Sequence, residues 1–346
     1  MKKNSRTPLL LAISMVIGIA LGTFTATRFG ESKLNIINTG SNKINYLLQL
    51  IDYNYVDTVD VDSLVEVALP KIISELDPHS VYIPVKDVEA SNEDLKGSFS
   101  GIGISFRMEH DSVTVMSVIH GGPAEKVGLL AGDRIISANG KNLCKMQSTE
   151  VMKHLKGEKD TEVKLEVIRR KGKTPLTFTV VRGDIPVESV DASFLIDEEI
   201  GYIRIKNFGE NTFAEMLATL AHLHFNGMKS LVIDLRGNRG GYMHPSIQMA
   251  NEFLEKDQLI VYTEGSKVKR EEYRSNGLGS FKHLPLVVLV DEMSASSSEI
   301  FAGAIQDNDR GTIIGRRSFG KGLVQQPMEF SDGSVVRLTI ARYHTP

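Results

Sequence analysis

The sequence predicts a multidomain α+β protein in which a helical segment, a β-rich domain and an α/β domain follow one another. Its 346 residues are enough for two or three domains. Apolar residues first recur at three- and four-residue spacing, and after residue 96 short apolar runs bounded by glycine replace that pattern. From residue 184 onwards strand and helix patterns alternate, which is typical of a parallel or mixed sheet covered by helices.

The composition is that of an ordinary globular protein, with 41% hydrophobic and 24% charged residues. The formal net charge of −3 gives no basic surface of the kind that binds nucleic acid, so we expect no nucleic-acid partner. A single cysteine, Cys144, excludes an intrachain disulfide. Cysteine usage therefore does not indicate the redox compartment.

Residues 1–30 are predicted to be a signal peptide or membrane anchor. Three basic residues within the first six positions precede an uncharged apolar stretch over residues 8–24, which is the layout of an export signal. Because Phe24 is too bulky for position −3 of a cleavage site after Ala26, an uncleaved anchor is favoured. The remaining chain would then be exported to the periplasm or another extracytoplasmic compartment. The alternative is a buried helix in a cytoplasmic protein.

Residues 31–95 are predicted to form an N-terminal helical region. Apolar residues follow a helical spacing in two segments: Ile44, Leu47, Leu48, Ile51 and Tyr55, then Leu64, Val65, Ala68 and Ile72. The sequence Asp77-Pro78 then breaks the helix, because proline disfavours helical geometry in the residue before it. His79, which follows, is interpreted as a loop residue and not as a ligand.

Residues 96–183 are predicted to form a β-rich domain that binds peptides. Gly101-Ile102-Gly103-Ile104 opens it, and a helix over 148–155 and a strand over 162–169 follow. Successive N–H groups of a glycine loop can converge on a carboxylate, and an exposed strand edge can pair with the peptide. The alternative is that Gly101 and Gly103 only permit a tight entry into a strand. The segment resembles a PDZ domain, which favours carboxylate binding by this loop.

Residues 184–346 are predicted to form the α/β domain. Strands are expected over 200–205, 230–235 and 284–290, and an amphipathic helix over 213–225. The glycine-rich sequence Arg236-Gly237-Asn238-Arg239-Gly240-Gly241 follows the second of these strands, and a serine run follows the third. Open α/β sheets place their sites beyond the carboxyl ends of the strands, so both loops are candidates for a functional site.

Ser296, within the serine run 294–298, has two interpretations. Ser296-x-x-Glu299 is a capping-box pattern, in which the serine only begins a helix. Lys321, 25 residues further along, instead suggests a nucleophile and its general base, provided that burial lowers the pKa of the lysine. Gly240-Gly241 also has two interpretations, an ordinary strand-to-helix turn and a source of N–H groups for an oxyanion hole.

Taken together, these motifs resemble those of the carboxyl-terminal processing peptidases, also called tail-specific proteases, from about Lys43 to the last residue. The sequences that carry the resemblance are Leu76-Asp77-Pro78-His79-Ser80, the β-rich segment, Asp234-Leu235-Arg236-Gly237-Asn238, the serine run and Gly320-Lys321-Gly322-Leu323-Val324-Gln325. The resemblance implies that 96–183 is a PDZ domain and 184–346 a serine peptidase core.

The resemblance also implies the roles of individual residues. Ser296 would be the nucleophile, Lys321 the general base and Gln325 the residue that orients the lysine. The N–H groups of Ser297 and of Gly240 or Gly241 would form the oxyanion hole. Asp307 matches an acidic position that matters in some members, although a surface carboxylate at a helix end is the alternative. Acyl transfer by these groups needs no metal and no organic cofactor.

The chain departs from the family pattern at three places. Ser297 stands where an alanine is expected, which leaves the N–H unchanged. Lys156 stands where relatives often have an arginine thought to couple the PDZ domain to the active site, and lysine cannot make the bidentate contact of arginine. The chain ends at Pro346, where relatives continue, so we expect an incomplete C-terminus.

The expected function is therefore that of an exported endopeptidase that cleaves proteins near apolar C-terminal tails. The alternatives are a non-catalytic, membrane-tethered PDZ scaffold and a regulated enzyme that processes one partner. Expected partners are proteins or peptides with apolar C-termini and, through residues 8–24, the membrane. The apolar positions of the N-terminal helices would also allow a homodimer.

Overall fold

The computed structural model describes residue 15 and residues 40–109, 111–170, 172 and 174–346. The chain divides into two compact units, Met1–Leu76 and Asp77–Pro346. Apart from Met15, the export segment predicted over residues 8–24 lies outside the described residues. Within the described part of the chain, no helix is both long and apolar enough to cross a bilayer.

The first unit contains the helices α1 (Gly40–Asn54) and α2 (Val61–Ser74). Asp60 begins α2 as its N-cap, because its carboxylate accepts the Ser63 N–H at 3.3 Å and the Ser63 hydroxyl at 2.6 Å. Within this unit Ile44 and Leu47 are 50% and 55% exposed. The predicted helical pattern is therefore present, and these two apolar residues remain accessible to a partner.

The first half of the second unit is rich in strands. Its elements are β1 (Val81–Ile83), α3 (Val85–Lys96), β2 (Ser98–Gly101), β3 (Ile104–Glu109), β4 (Ser112–Val118), α4 (Pro123–Lys126), β5 (Arg134–Ala138), β6 (Lys141–Asn142), α5 (Ser148–Leu155), β7 (Glu162–Ile168), β8 (Leu176–Val181) and β9 (Gly183–Pro186). The region predicted as helical over 31–95 thus also contains the short strand β1, and both β1 and α3 belong to the second unit.

Strands β3 to β8 form one antiparallel sheet in the order β3-β4-β5-β7-β8, with β6 paired to β5. Val113, Ile135 and Leu165 are fully buried on its inner face, where Val151 and Leu155 of α5 pack against them. Alternation of buried and exposed residues along β7 explains this packing, because successive side chains point to opposite faces. Strand β3 is left at the edge of the sheet.

The second half of the second unit alternates strands and helices. Its elements are β10 (Val190–Leu195), β11 (Ile200–Ile205), α6 (Thr212–Phe225), β12 (Ser230–Asp234), α7 (Met243–Phe253), β13 (Leu259–Glu264), β14 (Glu271–Arg274), β15 (Leu286–Val290), α8 (Ser297–Asp307), β16 (Thr312–Gly315), β17 (Leu323–Glu329) and β18 (Val335–His344). The predicted α+β class and the alternating pattern of the α/β domain are confirmed.

The central sheet of this half has the order β10-β11-β12-β15-β16. Strands β11, β12, β15 and β16 are parallel to one another, and β10 is antiparallel to β11. Ile233 and Val288 are fully buried in neighbouring strands, and Phe253 of α7 and Phe301 of α8 belong to the same core. Burial on both faces explains the nearly continuous apolar runs of β12 and β15.

A second sheet is built around the long strand β18, which pairs with β1, β13 and β17. Val81–Ile83 of β1 pair with residues 335–337 of β18, so the loop before β1 is held beside the α/β domain. Strand β17 runs antiparallel to β18 from Leu323 onwards, directly after Lys321. This sheet therefore positions the lysine segment and the Asp77-Pro78 turn together.

Candidate active site

A cavity of about 550 Å³ lies beyond the carboxyl ends of β12 and β15. Its wall contains six of the residues predicted from the sequence to form the active site: Ser296, Lys321, Gln325, Ser297, Gly240 and Gly241. Serine and lysine come from different loops, the first following β15 and the second preceding β17. The fold thus brings together groups that are far apart in the sequence, as expected for an open α/β sheet.

Ser296 occupies a strained backbone conformation at the junction between β15 and α8. Its φ of 56° and ψ of −114° lie outside the regions that non-glycine residues usually adopt. Such strain costs on the order of 1–3 kcal/mol and persists where the surrounding structure imposes it. Here the carbonyl of the buried Asn238 holds both flanks of the turn, accepting the Ala295 N–H and the Ser298 hydroxyl, each at 3.0 Å. A strained serine between a strand and a helix is also typical of nucleophiles in α/β hydrolases.

Glu299 connects the serine turn to the lysine loop. Its Oε2 atom accepts the N–H of Ser296 at 2.8 Å and the N–H of Lys321 at 2.9 Å. Its Oε1 atom accepts the Ser318 hydroxyl at 2.7 Å and the Gly320 N–H at 2.6 Å. A carboxylate offers about four acceptor positions, so all of its capacity is used. The capping-box glutamate and the nucleophile hypothesis are therefore compatible in one structure.

Lys321 is half-buried, and its ammonium group donates a hydrogen bond of 3.1 Å to Oε1 of Gln325. The amide nitrogen of Gln325 in turn donates to the backbone carbonyl of His79. Because a carbonyl can only accept, this bond fixes which end of the amide faces the lysine. The loop interpretation of His79 thus agrees with the structure, although the contribution of its carbonyl was not foreseen.

The environment of Lys321 lowers its pKa and so shifts the equilibrium towards the neutral amine. Burial lowers the pKa of Lys321 below its ordinary value, and the positive charge of Arg337 lowers it further. The carboxylate of Asp77 acts in the opposite direction. Hydrogen bonds, the strongest from the Ser80 hydroxyl, hold the pKa of Asp77 at about 2, so this carboxylate is ionised at neutral pH. The balance leaves a lysine with a lowered pKa in the wall of the cavity.

No hydrogen bond joins Lys321 Nζ to Ser296 Oγ in the described part of the chain, where the lysine contacts Gln325 instead. The two residues are nevertheless tied through their backbones. The buried Tyr343 hydroxyl lies 3.0 Å from the Ser296 carbonyl and also bonds to the Lys321 carbonyl. Burial raises the pKa of Tyr343, so the phenol remains protonated and able to donate.

The two glycines beside the serine differ in the N–H group that they offer. The Gly240 N–H donates to Oδ1 of Asn238 at 2.8 Å and is therefore already used. Gly241 forms an isolated parallel bridge with Phe208, in which the Phe208 N–H donates to the Gly240 carbonyl and the Tyr242 N–H donates to the Phe208 carbonyl. The two neighbours of Gly241 make these bonds, so its own N–H points away from Phe208. The Gly241 carbonyl accepts the Ser297 hydroxyl at 3.0 Å, which shows that this side of Gly241 faces the serine turn.

Glycine is required at both positions by close backbone approach. A Cβ atom at Gly240 would lie 2.7 Å from the Ala295 carbonyl oxygen and 2.8 Å from the Ser296 Cβ atom. A Cβ atom at Gly241 would lie 2.2 Å from the Phe208 carbonyl oxygen. Both glycines also have positive φ angles, 97° and 151°. Gly240-Gly241 is therefore both a strand-to-helix turn and part of the site beside Ser296.

Asp307 is the one predicted peptidase residue that the structure does not bring to the cavity. It lies at the exposed C-terminal end of α8, whereas Ser296 precedes the first residue of the same helix. A helix of 11 residues is roughly 16 Å long. The hydrogen bond of its carboxylate goes to its neighbour Gln306.

The predicted peptide-binding loop connects β2 to β3. The Ile102 carbonyl accepts the Ala124 N–H at 2.8 Å, and the Gly103 carbonyl accepts the Ile119 N–H at 3.0 Å. Because the N–H of a trans peptide points opposite to its carbonyl, the N–H groups of Gly103 and Ile104 point away from these partners. Gly103 has a φ of 78°, and Ile102 is 3% exposed. The loop, whose first residue Gly101 ends β2, therefore presents successive N–H groups beside the edge strand β3.

Lys156 contacts helix α3 and strand β2 despite replacing the expected arginine. Its ammonium group pairs with the Glu93 carboxylate on α3 and lies 4.2 Å from the centre of the Phe99 ring. Helix α3 also supplies Ser91 and Asn92 to the wall of the cavity. A single lysine thus links the end of α5 to an element of the site.

Sequence reasoning missed three contributors to this arrangement. Asn238 was only part of a motif, and its side-chain and carbonyl bonds to both loops depend on tertiary contacts. Tyr343 gave no signal, because a lone tyrosine near the end of a strand is unremarkable. For Glu299, the capping-box spacing was the only signal in the sequence that could have suggested a role beyond the helix cap.

Comparison with known proteins identifies both halves of the second unit. Residues 100–181 match the PDZ domain model, and residues 199–346 match the model of peptidase family S41. The chain is 34% identical over 354 residues to the carboxy-terminal processing protease CtpA of Bacillus subtilis, covering 100% of this chain and 74% of that protein. It is also 34% identical to a CtpA-like serine protease of Staphylococcus aureus, covering 96% of this chain and 68% of that protein.

A solved structure of an S41 protease from Bacteroides fragilis has the same fold. It is 16% identical, with a TM-score of 0.51, and the match covers 87% of this chain and 85% of that chain. Together with the sequence relatives, this likeness confirms the resemblance drawn from the motifs. The chain therefore belongs to peptidase family S41 and is a serine peptidase that carries a PDZ domain.

Proposed function

We propose that this protein is an exported endopeptidase that cleaves proteins near apolar carboxyl-terminal tails by means of a Ser296–Lys321 dyad. The observation that carries this proposal is the lowered pKa of a half-buried lysine, held by Gln325 in the cavity that also contains the strained serine. A lysine can act as a general base at neutral pH only when its ammonium form is disfavoured. The names of the carboxy-terminal processing relatives support the same activity.

The reaction proceeds by acyl transfer. Neutral Lys321 removes the Ser296 hydroxyl proton while Oγ attacks the scissile carbonyl carbon. The oxyanion accepts hydrogen bonds from the N–H groups of Ser297 and Gly241, and the positive end of α8 favours the same charge. The protonated lysine then gives its proton to the leaving amine as the C–N bond breaks. Water, activated by the same lysine, releases the substrate acyl group from Ser296.

Gly241 is the better glycine donor for this oxyanion. The Gly240 N–H is occupied by Asn238, whereas the Gly241 N–H lies on the side of the chain that faces the serine turn. The Ser297 N–H is at the first position of α8, where helix N–H groups have no partner within the helix. Ser297 and Gly241 therefore form the proposed pair, and Gly240 acts by allowing close approach.

The tail preference follows from two surfaces. The N–H groups of Gly103 and Ile104 would bind the terminal carboxylate of a substrate, and its chain would pair with the edge strand β3. Met243, Ile300 and Leu323 in the cavity wall would contact apolar side chains near the cleaved bond. Export and anchoring by residues 8–24, the domain limits predicted above and dimerisation through the N-terminal helices stay predictions from the sequence.

The test is cleavage of an unfolded protein with an apolar C-terminal tail by the full chain and its variants. We expect Ser296→Ala and Lys321→Ala each to lower kcat by about 10³-fold or more while the unfolding curve is unchanged. Matched controls are Ser266→Ala and Lys267→Ala, which alter exposed residues outside the cavity. Retained cleavage in either active-site variant would contradict the dyad.

The second candidate function is a non-catalytic PDZ scaffold. The missing hydrogen bond between Lys321 and Ser296 among the described residues is the observation that favours it. Catalytic hydrogen bonds are often long before substrate binds, so this geometry is compatible with either function. A wild-type chain that binds tail peptides but cleaves none of the substrates tested would support the scaffold.

A further inference from the structure

The charged residues in the wall of the active-site cavity are all basic. They are Lys206, Arg239, Lys321 and Arg337, and no aspartate or glutamate belongs to the part of the wall that the structure describes. The protein as a whole carries a net charge of −3. The positive charge is therefore a local property of this cavity and does not reflect overall composition.

Arg337 is the most informative of these cations, because it is half-buried. Its terminal nitrogen donates to Oδ1 of Asn92 at 3.3 Å, which is a weak contact for a guanidinium with five N–H donors. Across the described residues, no carboxylate lies within 4 Å of the charged groups of Arg337, Arg239 or Lys206.

Two other partly buried arginines of this protein, Arg169 and Arg310, are well partnered. Arg169 bonds to the Asp133 carboxylate at 2.7 Å, and Arg310 donates to three backbone carbonyls. Removing a charge from water without a partner is costly, which explains why such arrangements are the rule. Arg337 departs from this rule at the wall of the site, where an external group can supply the missing anion.

Two carboxylates close to residues of the cavity wall, those of Asp77 and Glu299, are already committed to hydrogen bonds. Asp77 accepts the N–H groups of His79 and Ser80 and two side-chain hydroxyls. Glu299 accepts four donors, and Glu210 is near enough to act on the pKa of Tyr242 but does not line the cavity. The charge of Arg337 reaches both Tyr242 and Lys321, two residues of the cavity wall.

We propose that Arg337, assisted by Arg239 and Lys206, forms a subsite for an acidic side chain of the substrate close to the scissile bond. A guanidinium can bind a carboxylate through two parallel hydrogen bonds, which combines affinity with orientation. The proposal rests on the peptidase function above and adds a sequence preference to it. The terminal carboxylate of the substrate is assigned to the PDZ loop, so the carboxylate bound here belongs to a side chain.

The experiment compares peptides that contain an apolar tail and differ only by Glu or Gln at one position within three residues of the cleaved bond. For each position, the ratio of kcat/KM for the two peptides is measured on the same enzyme preparation. Any general loss of activity in a variant cancels in this ratio. We expect wild-type enzyme to prefer Glu by about fivefold or more at one position, since one well-placed charged pair changes rates by this order.

The variant Arg337→Gln is expected to reduce that preference to less than about twofold, even if its overall activity falls, because the carboxylate loses its main partner. Arg342→Gln is the matched control, since Arg342 is an exposed arginine of the same strand that does not line the cavity. It should retain the wild-type ratio. A second set of peptides with amidated C-termini separates binding of a side-chain carboxylate from binding of the terminal one.

Three results would overturn the subsite. One is wild-type cleavage with equal rates for Glu and Gln at every position. Another is a preference that persists in Arg337→Gln, and the third is a preference that disappears when the C-terminus is amidated. A wild-type enzyme that cleaves none of the peptides would contradict the proposed function and the subsite together, which distinguishes that failure from the others.

Discussion

The carboxylate of Glu299 accepts the backbone N–H of Lys321 at 2.9 Å, although the two residues belong to different loops. The same oxygen accepts the Ser296 N–H, so one side chain sets the spacing between the proposed nucleophile and base. Glu299 does not belong to the wall of the cavity. It is a positioning residue, and its effect on the reaction passes through the two loops that it joins.

The variant Glu299→Gln should therefore impair both catalysis and stability. An amide keeps the shape but replaces one acceptor oxygen by a donor, which faces N–H groups that are themselves donors. The amide nitrogen leaves at least one of these donors without an acceptor, and loss of one charge-assisted hydrogen bond costs about 1.5–3 kcal/mol, so we expect the free energy of unfolding to fall by about 2 kcal/mol or more. We expect kcat to fall by roughly 100-fold with little change in KM, because the dyad is misplaced while the binding surface is kept.

Denaturant unfolding and steady-state cleavage by the same preparations measure the two effects. Glu292→Gln is the control, since Glu292 is an exposed residue paired with Arg316 near the same loop, outside the cavity. It should retain wild-type kcat. If Glu299→Gln lost stability but kept its kcat under folded conditions, the carboxylate would have a structural role only.

The pH dependence of cleavage should follow the charges around Lys321. The base form of the lysine increases as pH rises through its lowered pKa, so kcat/KM should rise with pH over that range. Arg337→Gln removes a positive charge that disfavours the ammonium form. The pKa of Lys321 then rises, and the ascending limb should move to higher pH.

Asp77→Asn should shift the pH profile of kcat/KM in the opposite direction. Asp77 is ionised above about pH 2 and favours the ammonium form of Lys321, so its neutralisation should move the limb to lower pH. The measurement is a profile of kcat/KM against pH for the wild type and both variants at constant ionic strength. Shifts of the same sign in the two variants would show that the limb reports a different group.

Much of this site was predictable from the chain because its parts lie in local patterns. Ser296 and Glu299 have the spacing of a capping box, and Gly240-Gly241 follows a buried strand. Capping propensity and position at the end of a strand therefore indicate these residues as candidates for the site. The parallel order of β11, β12 and β15 also agrees with the alternation of strands and helices. These are short-range features, and each element can be read without knowing what packs against it.

The contacts that tie the parts together could not be predicted in the same way. The His79 carbonyl reaches Gln325 across most of the chain because β1 and β17 both pair with β18. The Tyr343 hydroxyl likewise meets two loops that are remote in sequence. The register of these strands depends on tertiary pairing, which residue patterns do not specify. Asp307 illustrates the converse, since an acidic residue near the serine in sequence lies at the far end of its helix.

Gly240→Ala should strongly impair cleavage through steric conflict with the serine turn. The new Cβ atom would lie 2.8 Å from the Ser296 Cβ atom, and the residue would retain a φ that disfavours a side chain. Gly237→Ala is a close match, because Gly237 lies in the same loop with a φ of 76° and no atom within 4 Å of its Cβ position. We expect kcat to fall by about 100-fold or more in the first variant and by less than about tenfold in the second, measured on folded enzyme. Equal losses would assign the effect to backbone conformation and not to contact with Ser296.

Ser297→Ala tests the contacts of the Ser297 hydroxyl. The Ser297 hydroxyl lies 3.0 Å from the carbonyl oxygens of both Gly241 and Tyr242, so it fixes the loop segment that carries one proposed oxyanion donor against the turn that carries the other. Alanine keeps the backbone N–H but removes this link. We expect kcat to fall by roughly three- to tenfold with KM unchanged, since one neutral hydrogen bond contributes about 1 kcal/mol. Ser297→Thr, which keeps a hydroxyl, should recover part of the rate. An unchanged kcat in the alanine variant would show that packing alone holds Gly241 in place.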